Sequence, residues 1–75
     1  MAETFSRTVA ATVRAELARH EVSQSQLAAL LGVSSTQAGK RLKGAIPYTV
    51  DELGLIATHL GIQVSVFVAE SERVA

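Results

Sequence analysis

Residues 23–44 constrain the fold more than any other part of the chain, because they predict two short helices joined by a tight turn. Ser23 is followed three residues later by Gln26, the spacing of a capping box at the start of a helix. Gly32 is expected to end this helix, since glycine readily adopts the left-handed conformation that follows a last turn. Ser34 has the side chain of an N-cap for the second helix. The sequence therefore predicts a helix, a glycine turn and another helix.

The second predicted helix, over residues 35–43, is poor in apolar side chains. Its only apolar residues, Ala38 and Leu42, lie one helical turn apart, and the others are small, polar or basic. A helix held by so narrow an apolar seam can present hydrogen-bonding groups to base edges and cations to phosphates. A solvated surface helix with cations near its C-terminus gives the same pattern. The preceding helix and turn, at this spacing, favour DNA.

Length and composition indicate one small domain. We assign residues 1–75 to it, with an ordered core over about 4–68 and a tail over 69–75. The apolar fraction of 48% is ample for a core, which must be aliphatic because only three residues are aromatic. The chain has no cysteine, which fits a reducing compartment, and we predict a cytoplasmic location. We expect neither a membrane span nor a signal peptide.

The distribution of charge is more informative than its sum. Seven cations balance seven acids, which argues mildly against a nucleic-acid partner. No acid lies between Glu21 and Asp51, however, and this window contains Lys40, Arg41 and Lys43. Three local cations predict few phosphate contacts per subunit, so a specific site near ~10⁻⁸ M requires two copies. We therefore predict a homodimer.

Helical periodicity continues on both sides of the central stretch. Residues 4–20 carry an apolar stripe, with Arg7 and Arg14 lying off it, where they either solvate the helix or reach a DNA backbone. Thr49 and Glu52 mark the start of a further helix that Gly61 closes. The predicted buried positions are Phe5, Val9, Val13 and Leu17 in the first helix, and Val50, Leu53, Ile56, Ala57 and Leu60 in the later one.

Three further features leave alternatives open. Residues 62–68 alternate like a strand, yet they also fit a short final helix that covers the core. Tyr48 is expected to pack on the core, although its hydroxyl group also suits a phosphate contact. Leu30 lies off the inward face of its helix, where it either meets the first helix or is exposed. Leu55 lies off the buried face of the later helix, where it is either an ordinary exposed leucine or part of a subunit contact.

The stretch SQSQLAALLGVSSTQAGKRLKG resembles the helix-turn-helix of the Cro/phage-repressor class, also called the XRE family. The segment IPYTVDELGLIATHLGI resembles the fourth helix of that family, particularly in actinobacterial and phage members, and the likeness covers residues 9–68. It implies an all-α, compact five-helix, lambda-repressor-like bundle, with the helix-turn-helix at about 23–43. It also favours a final helix over a strand. The residues that carry it are Ser23, Gln24, Leu27, Ala28, Gly32, Val33, Ser34 and Gly44.

The resemblance also implies which residues meet DNA. Gln24 matches a position that bonds phosphate or braces a reading side chain, and Ser34 belongs to the same predicted contact set. Arg41 stands where an apolar residue is usual, which leaves open whether Lys40 or Arg41 reads bases. Gly39 replaces a common serine, and this either allows close approach to DNA or is merely tolerated. Base edges are assigned to Ser35, Thr36, Gln37 and Lys40, and phosphates to Arg41 and Lys43.

The functional expectation is a sequence-specific DNA-binding transcription regulator, a small phage-type or bacterial repressor. It is expected to bind the major groove of double-stranded DNA as a homodimer on a pseudo-palindromic operator. We predict no enzymatic activity, cofactor, metal or small-molecule substrate, because no catalytic or metal-binding set occurs at usable spacing and His20 and His59 lack ligand partners. The alternative is a protein-interaction module of the same fold, such as an antitoxin or anti-repressor.

Overall fold

The structure is a computed structural model that describes the backbone of residues 2–74 and the side chains of residues 5–69. Five α-helices, and no strand, occupy the part of the chain that is described. This confirms the predicted all-α class. None of these helices is both long and apolar enough to cross a membrane. The helices are α1 (Ala2–Arg19), α2 (Gln24–Leu31), α3 (Ser35–Lys43), α4 (Val50–Leu60) and α5 (Ser65–Val74).

Local sequence signals set the helix ends as predicted. Ser23 Oγ accepts a hydrogen bond from the Gln26 backbone N–H at 3.1 Å, and the Gln26 side chain accepts one from the Ser23 N–H at 2.7 Å. Gly32 ends α2 with φ of 70°, and Gly44 ends α3 with φ of 83°. Both angles are left-handed, a region that most residues avoid and glycine enters freely. The predicted turn between α2 and α3 is thus confirmed.

The core forms where all five helices converge. α1 packs along α5 and against α3, while α2 packs against α3 and α4. Phe67 of α5 is fully buried, so the last helix covers the core that the first four leave open. The principal buried residues are Val9, Val13, Leu17, Leu27, Ala28, Ala38, Leu53, Ile56, Ala57 and Phe67.

The C-terminal segment is helical, as favoured over the strand alternative, but longer than predicted. α5 begins at Ser65 and continues to Val74, whereas a tail was expected over residues 69–75. The backbone therefore corrects that boundary; the side chains of residues 70–75 and all of Ala75 lie outside the described residues. The alternation of apolar residues over 62–68 does not reflect a two-sided strand, because Val64 and Val66 are exposed while Phe67 is buried.

Two residues on the predicted apolar faces are exposed. Val50 is 83% exposed because it is the first residue of α4 and lies before the turn that meets the core. Phe5 is 41% exposed at the start of α1. Leu30 and Tyr48, by contrast, are partly buried against the core. Periodicity identifies a helix face, but it does not show how far along the helix a neighbour extends.

Candidate nucleic-acid interface

Helix α3 carries one row of exposed side chains that make no polar contacts within the described chain. Thr36, Lys40 and Lys43 are separated by four and then three residues, so they lie on one face of the helix. Each side chain is exposed and makes no hydrogen bond or ion pair with any residue whose side chain is described. Ala38 is fully buried, and Leu42 packs against the core. The helix is therefore divided lengthwise into a packed seam and an open polar row.

The start of α3 is fastened to the start of α2. The Gln24 side-chain Nε2 donates to the Ser35 carbonyl oxygen at 2.8 Å and lies 3.2 Å from the Ser35 Oγ. The resemblance implied two roles for Gln24, bonding a phosphate or bracing a reading side chain. The structure shows Gln24 bonded to Ser35, which corresponds to the second role. These bonds restrict how far α3 can slide or rotate against α2.

Gly39 provides the space for this brace. It is buried on the inner side of α3, and a Cβ added there would lie 2.9 Å from Gln24 Nε2. Real Cβ atoms almost never approach another atom so closely. The lack of a side chain at Gly39 thus makes room for Gln24 of α2. Gly39 faces the interior of the protein, and this packing accounts for the glycine without a close approach to DNA.

Ser34 and Gln37 lie at the exposed beginning of α3. Ser34 Oγ accepts a hydrogen bond from the Gln37 backbone N–H at 3.1 Å, which confirms Ser34 as the N-cap. Arg41 Nη1 donates to the Gln37 side-chain Oε1 over 3.4 Å. This contact is long, and the Gln37 side chain remains exposed. Both residues are accessible, but the Ser34 hydroxyl is already used to stabilise the helix.

Arg41 differs from its predicted role as an open cation near phosphate. Its Nε donates to Glu52 Oε1 at 3.1 Å, and the two side chains are only 12% and 13% exposed. The same Glu52 oxygen accepts the Thr49 backbone N–H at 3.0 Å, which completes the capping box of α4. Arg41 therefore ties α3 to the start of α4. Lys40, the neighbouring cation, is exposed instead.

Glu52 remains charged in this arrangement. Burial raises the pKa of a carboxyl group, but the hydrogen bonds from Arg41 and the Thr49 N–H outweigh burial, and the pKa of Glu52 is lowered below its ordinary value. The ion pair and the helix cap consequently stabilise each other at neutral pH.

The C-terminal end of α3 has its own support from α1. Arg14 Nη1 donates to the Leu42 carbonyl oxygen at 2.7 Å, so Arg14 satisfies a helix-end acceptor that has no partner within α3. This role differs from both alternatives considered for Arg14. Beside it, the Tyr48 hydroxyl is buried without a hydrogen-bond partner among the described atoms, and burial raises the pKa of Tyr48 to about 12.

The structure groups the predicted residues into an outer and an inner set. The outer set lies on the exposed side of α3 and its cap: Ser34, Ser35, Thr36, Gln37, Lys40 and Lys43. Gln24 and Arg41 belong to the inner set, which holds α3 in place. Sequence reasoning missed Glu52 as the partner of Arg41, because Glu52 was assigned only to its helix cap. The sequence signal for this pair was the position of Arg41, which lies next to the apolar seam of Ala38 and Leu42 rather than opposite to it.

A family model described as BetR domain matches residues 4–75. Comparison with curated proteins gives no match, and comparison with solved structures gives none either. Since the family model spans nearly the whole chain, the chain belongs to the BetR domain family.

Proposed function

We propose that this BetR-domain chain is a sequence-specific DNA-binding transcription regulator that inserts α3 into the major groove. The observation that carries the proposal is the row formed by Thr36, Lys40 and Lys43, which is exposed and unpartnered within the described chain. We further propose a helix-turn-helix like that of the Cro/phage-repressor class and a non-enzymatic role.

The side chains of this row suit contacts to base edges from its first two residues and a contact to the DNA backbone from its last. Lysine donates to guanine O6 and N7, and threonine contacts the thymine methyl group or a base-edge acceptor. Thr36 and Lys40 are separated by about 6 Å along the helix, close to two base-pair steps of about 3.4 Å each. We assign base contacts to Thr36, Gln37 and Lys40, and a phosphate contact to Lys43, one turn further on.

Preorganisation supports this assignment. Gln24 holds one end of α3 through Ser35, and Arg41 holds its inner side through Glu52. A reading helix that is already fixed loses less conformational freedom on binding, so more of its contact energy appears as affinity. In this proposal Gln24 and Arg41 position the helix without contacting DNA.

The charge inventory supports two copies on one site. With Arg41 neutralised by Glu52, two cations of α3 remain per subunit, Lys40 and Lys43. A dimer in which each Lys43 contacts one phosphate would have a log–log salt slope of about −2, much shallower than the slope of strongly basic repressors. We therefore propose a homodimer on a pseudo-palindromic operator, with half-site centres ~34 Å apart. A DNA partner and a chain without cysteine also suit the cytoplasm.

Selection of random double-stranded DNA by the purified chain, followed by footprinting of the enriched sequence, tests this function. We expect an inverted repeat, protection of two major-groove faces one helical turn apart, and binding that weakens with salt. Failure to enrich any sequence at low salt, with a folded chain confirmed by circular dichroism, would contradict the proposal.

The alternative function is a protein-interaction module, supported by the zero net charge and by Leu55, which is 47% exposed. Leu30 supports the protein-interaction alternative less than Leu55 does, because the Leu30 side chain is partly buried against the core. A specific footprint would decide against the alternative. Enrichment of no DNA would favour it.

A further inference from the structure

An open groove runs along α4 on a face that the proposed DNA contacts do not use. Its lining residues are Leu30 from α2 and Asp51, Gly54, Leu55, Thr58 and His59 from α4. Leu55 is 47% exposed at its centre, and a Cβ at Gly54 would meet no atom within 4 Å. Glycine inside a helix costs about 1 kcal/mol relative to alanine. No neighbour in the described chain requires that glycine, so its smallness has no internal explanation.

We propose that this groove binds the same groove of a second copy, with the two α4 helices antiparallel about a two-fold axis at Leu55. This inference specifies the partner surface of the dimer and rests on the proposed function only for the dimer's role on DNA. Asp51 precedes Leu55 by four residues and His59 follows it by four. All three therefore lie on one helix face, with Asp51 and His59 about 6 Å to either side of Leu55.

Two-fold symmetry makes this face complementary to itself. An antiparallel copy places its His59 opposite Asp51 and its Asp51 opposite His59, so both ends carry an acid facing a base. Neither side chain has an ion pair or hydrogen bond within the part of the chain whose side chains are described. Parallel helices would instead place like groups opposite each other. The positions of the Asp51 carboxylate, an acceptor, and the His59 imidazole, which carries an N–H donor, therefore favour a second copy in the antiparallel orientation.

Gly54 and Leu55 give the apolar part of the contact. Packed helices lie about 8–10 Å apart, and small residues at the crossing allow the shorter end of that range. A missing Cβ at Gly54 leaves room beside Leu55 for the leucine of the second copy. One face of an 11-residue helix is small compared with the roughly 1,200–2,000 Å² of a stable interface, so the free dimer is expected to be weak.

Cysteine crosslinking tests the axis directly, because the chain contains no cysteine of its own. A residue on a two-fold axis faces its own copy, and at this helix separation its Cα atoms lie roughly 3.5–5.5 Å apart, which overlaps disulfide geometry. Leu55→Cys is expected to form a disulfide dimer rapidly under mild oxidation. Val66→Cys, an apolar α5 residue that is 39% exposed, is the matched control and should remain monomeric. Equal or faster crosslinking of the control would overturn the proposal.

A charge swap tests the predicted pairing without relying on a cysteine. Sedimentation equilibrium over 10-fold concentration steps should show that His59→Asp weakens the dimer at least several-fold, because it places two acids opposite each other. Adding Asp51→Lys to that variant should restore dimerisation. Circular dichroism confirms that each variant is folded. If the double variant fails to recover, or if the wild-type chain stays monomeric at millimolar concentration, the groove serves a different partner and the proposal is wrong.

The two proposals fail separately. A Leu55→Cys dimer without any enriched DNA would support the surface and contradict the function. An enriched inverted repeat bound by a chain that crosslinks only through Val66→Cys would support the function and place the dimer contact on α5.

Discussion

Gln24 and Gly39 lie in contact across the junction of α2 and α3, with the side-chain amide of Gln24 occupying the space that a Cβ at residue 39 would fill. This contact explains a residue that otherwise weakens a short helix. It also links the identity of Gly39 to the hydrogen bonds that Gln24 donates to Ser35.

Gly39→Ala is expected to stabilise the chain less than its helix propensity implies. Alanine gains about 1 kcal/mol in a helix interior, but the Gln24 amide must move and loses hydrogen bonds worth about 0.5–1.5 kcal/mol each. Gly54→Ala is the matched control, since its Cβ meets open space. Urea unfolding at a concentration where the chain is monomeric, so that the proposed dimer contact of Gly54 does not contribute, should show Gly54→Ala to be more stabilising by about 1–2 kcal/mol.

A double-variant cycle identifies the cause of that difference. In a Gln24→Ala background the obstructing amide is absent, so Gly39→Ala should recover most of the helix gain. An identical effect of Gly39→Ala in both backgrounds would contradict the contact.

Arg41→Met is expected to destabilise the fold by about 1–3 kcal/mol, because it removes a charged hydrogen bond between two largely buried side chains. Arg19→Met is the control: Arg19 pairs with Glu16 but its side chain is 68% exposed, so its loss should cost under about 1 kcal/mol. If Arg41 only positions α3, the salt slope of DNA binding should remain unchanged in Arg41→Met. A slope reduced by about one would instead assign Arg41 to a phosphate.

Acid should weaken the fold partly through Glu52. Because the pKa of Glu52 is lowered in the folded chain, its stabilisation is present above the ordinary pKa of 4.5 and is lost as the pH falls through the lower folded value. Glu52→Gln is therefore expected to be less stable than wild type at pH 7, with a smaller difference below pH 4.5. Urea unfolding between pH 3 and pH 7 measures it. A pH-independent difference would contradict the ion pair.

Tyr48 gives a readout at high pH. It is the only tyrosine, and the chain has no tryptophan, so absorbance at alkaline pH reports this one phenol. Burial raises the pKa of Tyr48 from 10.0 to about 12, so the folded state favours the neutral phenol. Its contribution to the free energy of unfolding is therefore intact below pH 10 and is lost as the pH rises through 12. Tyr48→Phe removes a buried hydroxyl that has no hydrogen-bond partner among the described atoms, and should be neutral or stabilising by up to ~1 kcal/mol. Ionisation near pH 10 in the folded chain would contradict this burial.

Local signals predicted the helices well because caps act within a few residues. Ser23, Ser34 and Thr49 each accept the backbone N–H three residues later, as their sequence spacing indicates. These features depend on the chain's own neighbourhood, so no tertiary information is needed.

The supporting contacts were not predictable in the same way. Arg41 and Glu52 are 11 residues apart and belong to different helices, so their pairing depends on the angle between α3 and α4. Arg14 and the Leu42 carbonyl are 28 residues apart. The sequence showed three neighbouring cations of similar appearance, and only packing separates Arg41, which is enclosed, from Lys40 and Lys43, which are exposed.

The central claim is that the open row of α3 meets DNA, and the affinity of Lys40→Ala for a selected operator tests it most directly. Fluorescence anisotropy at fixed salt should show binding weakened by about 1–3 kcal/mol, roughly 5- to 150-fold, with relaxed preference at one base pair. Arg19→Ala on α1 should bind nearly as the wild type does. Unchanged affinity and unchanged base preference in Lys40→Ala would contradict the account.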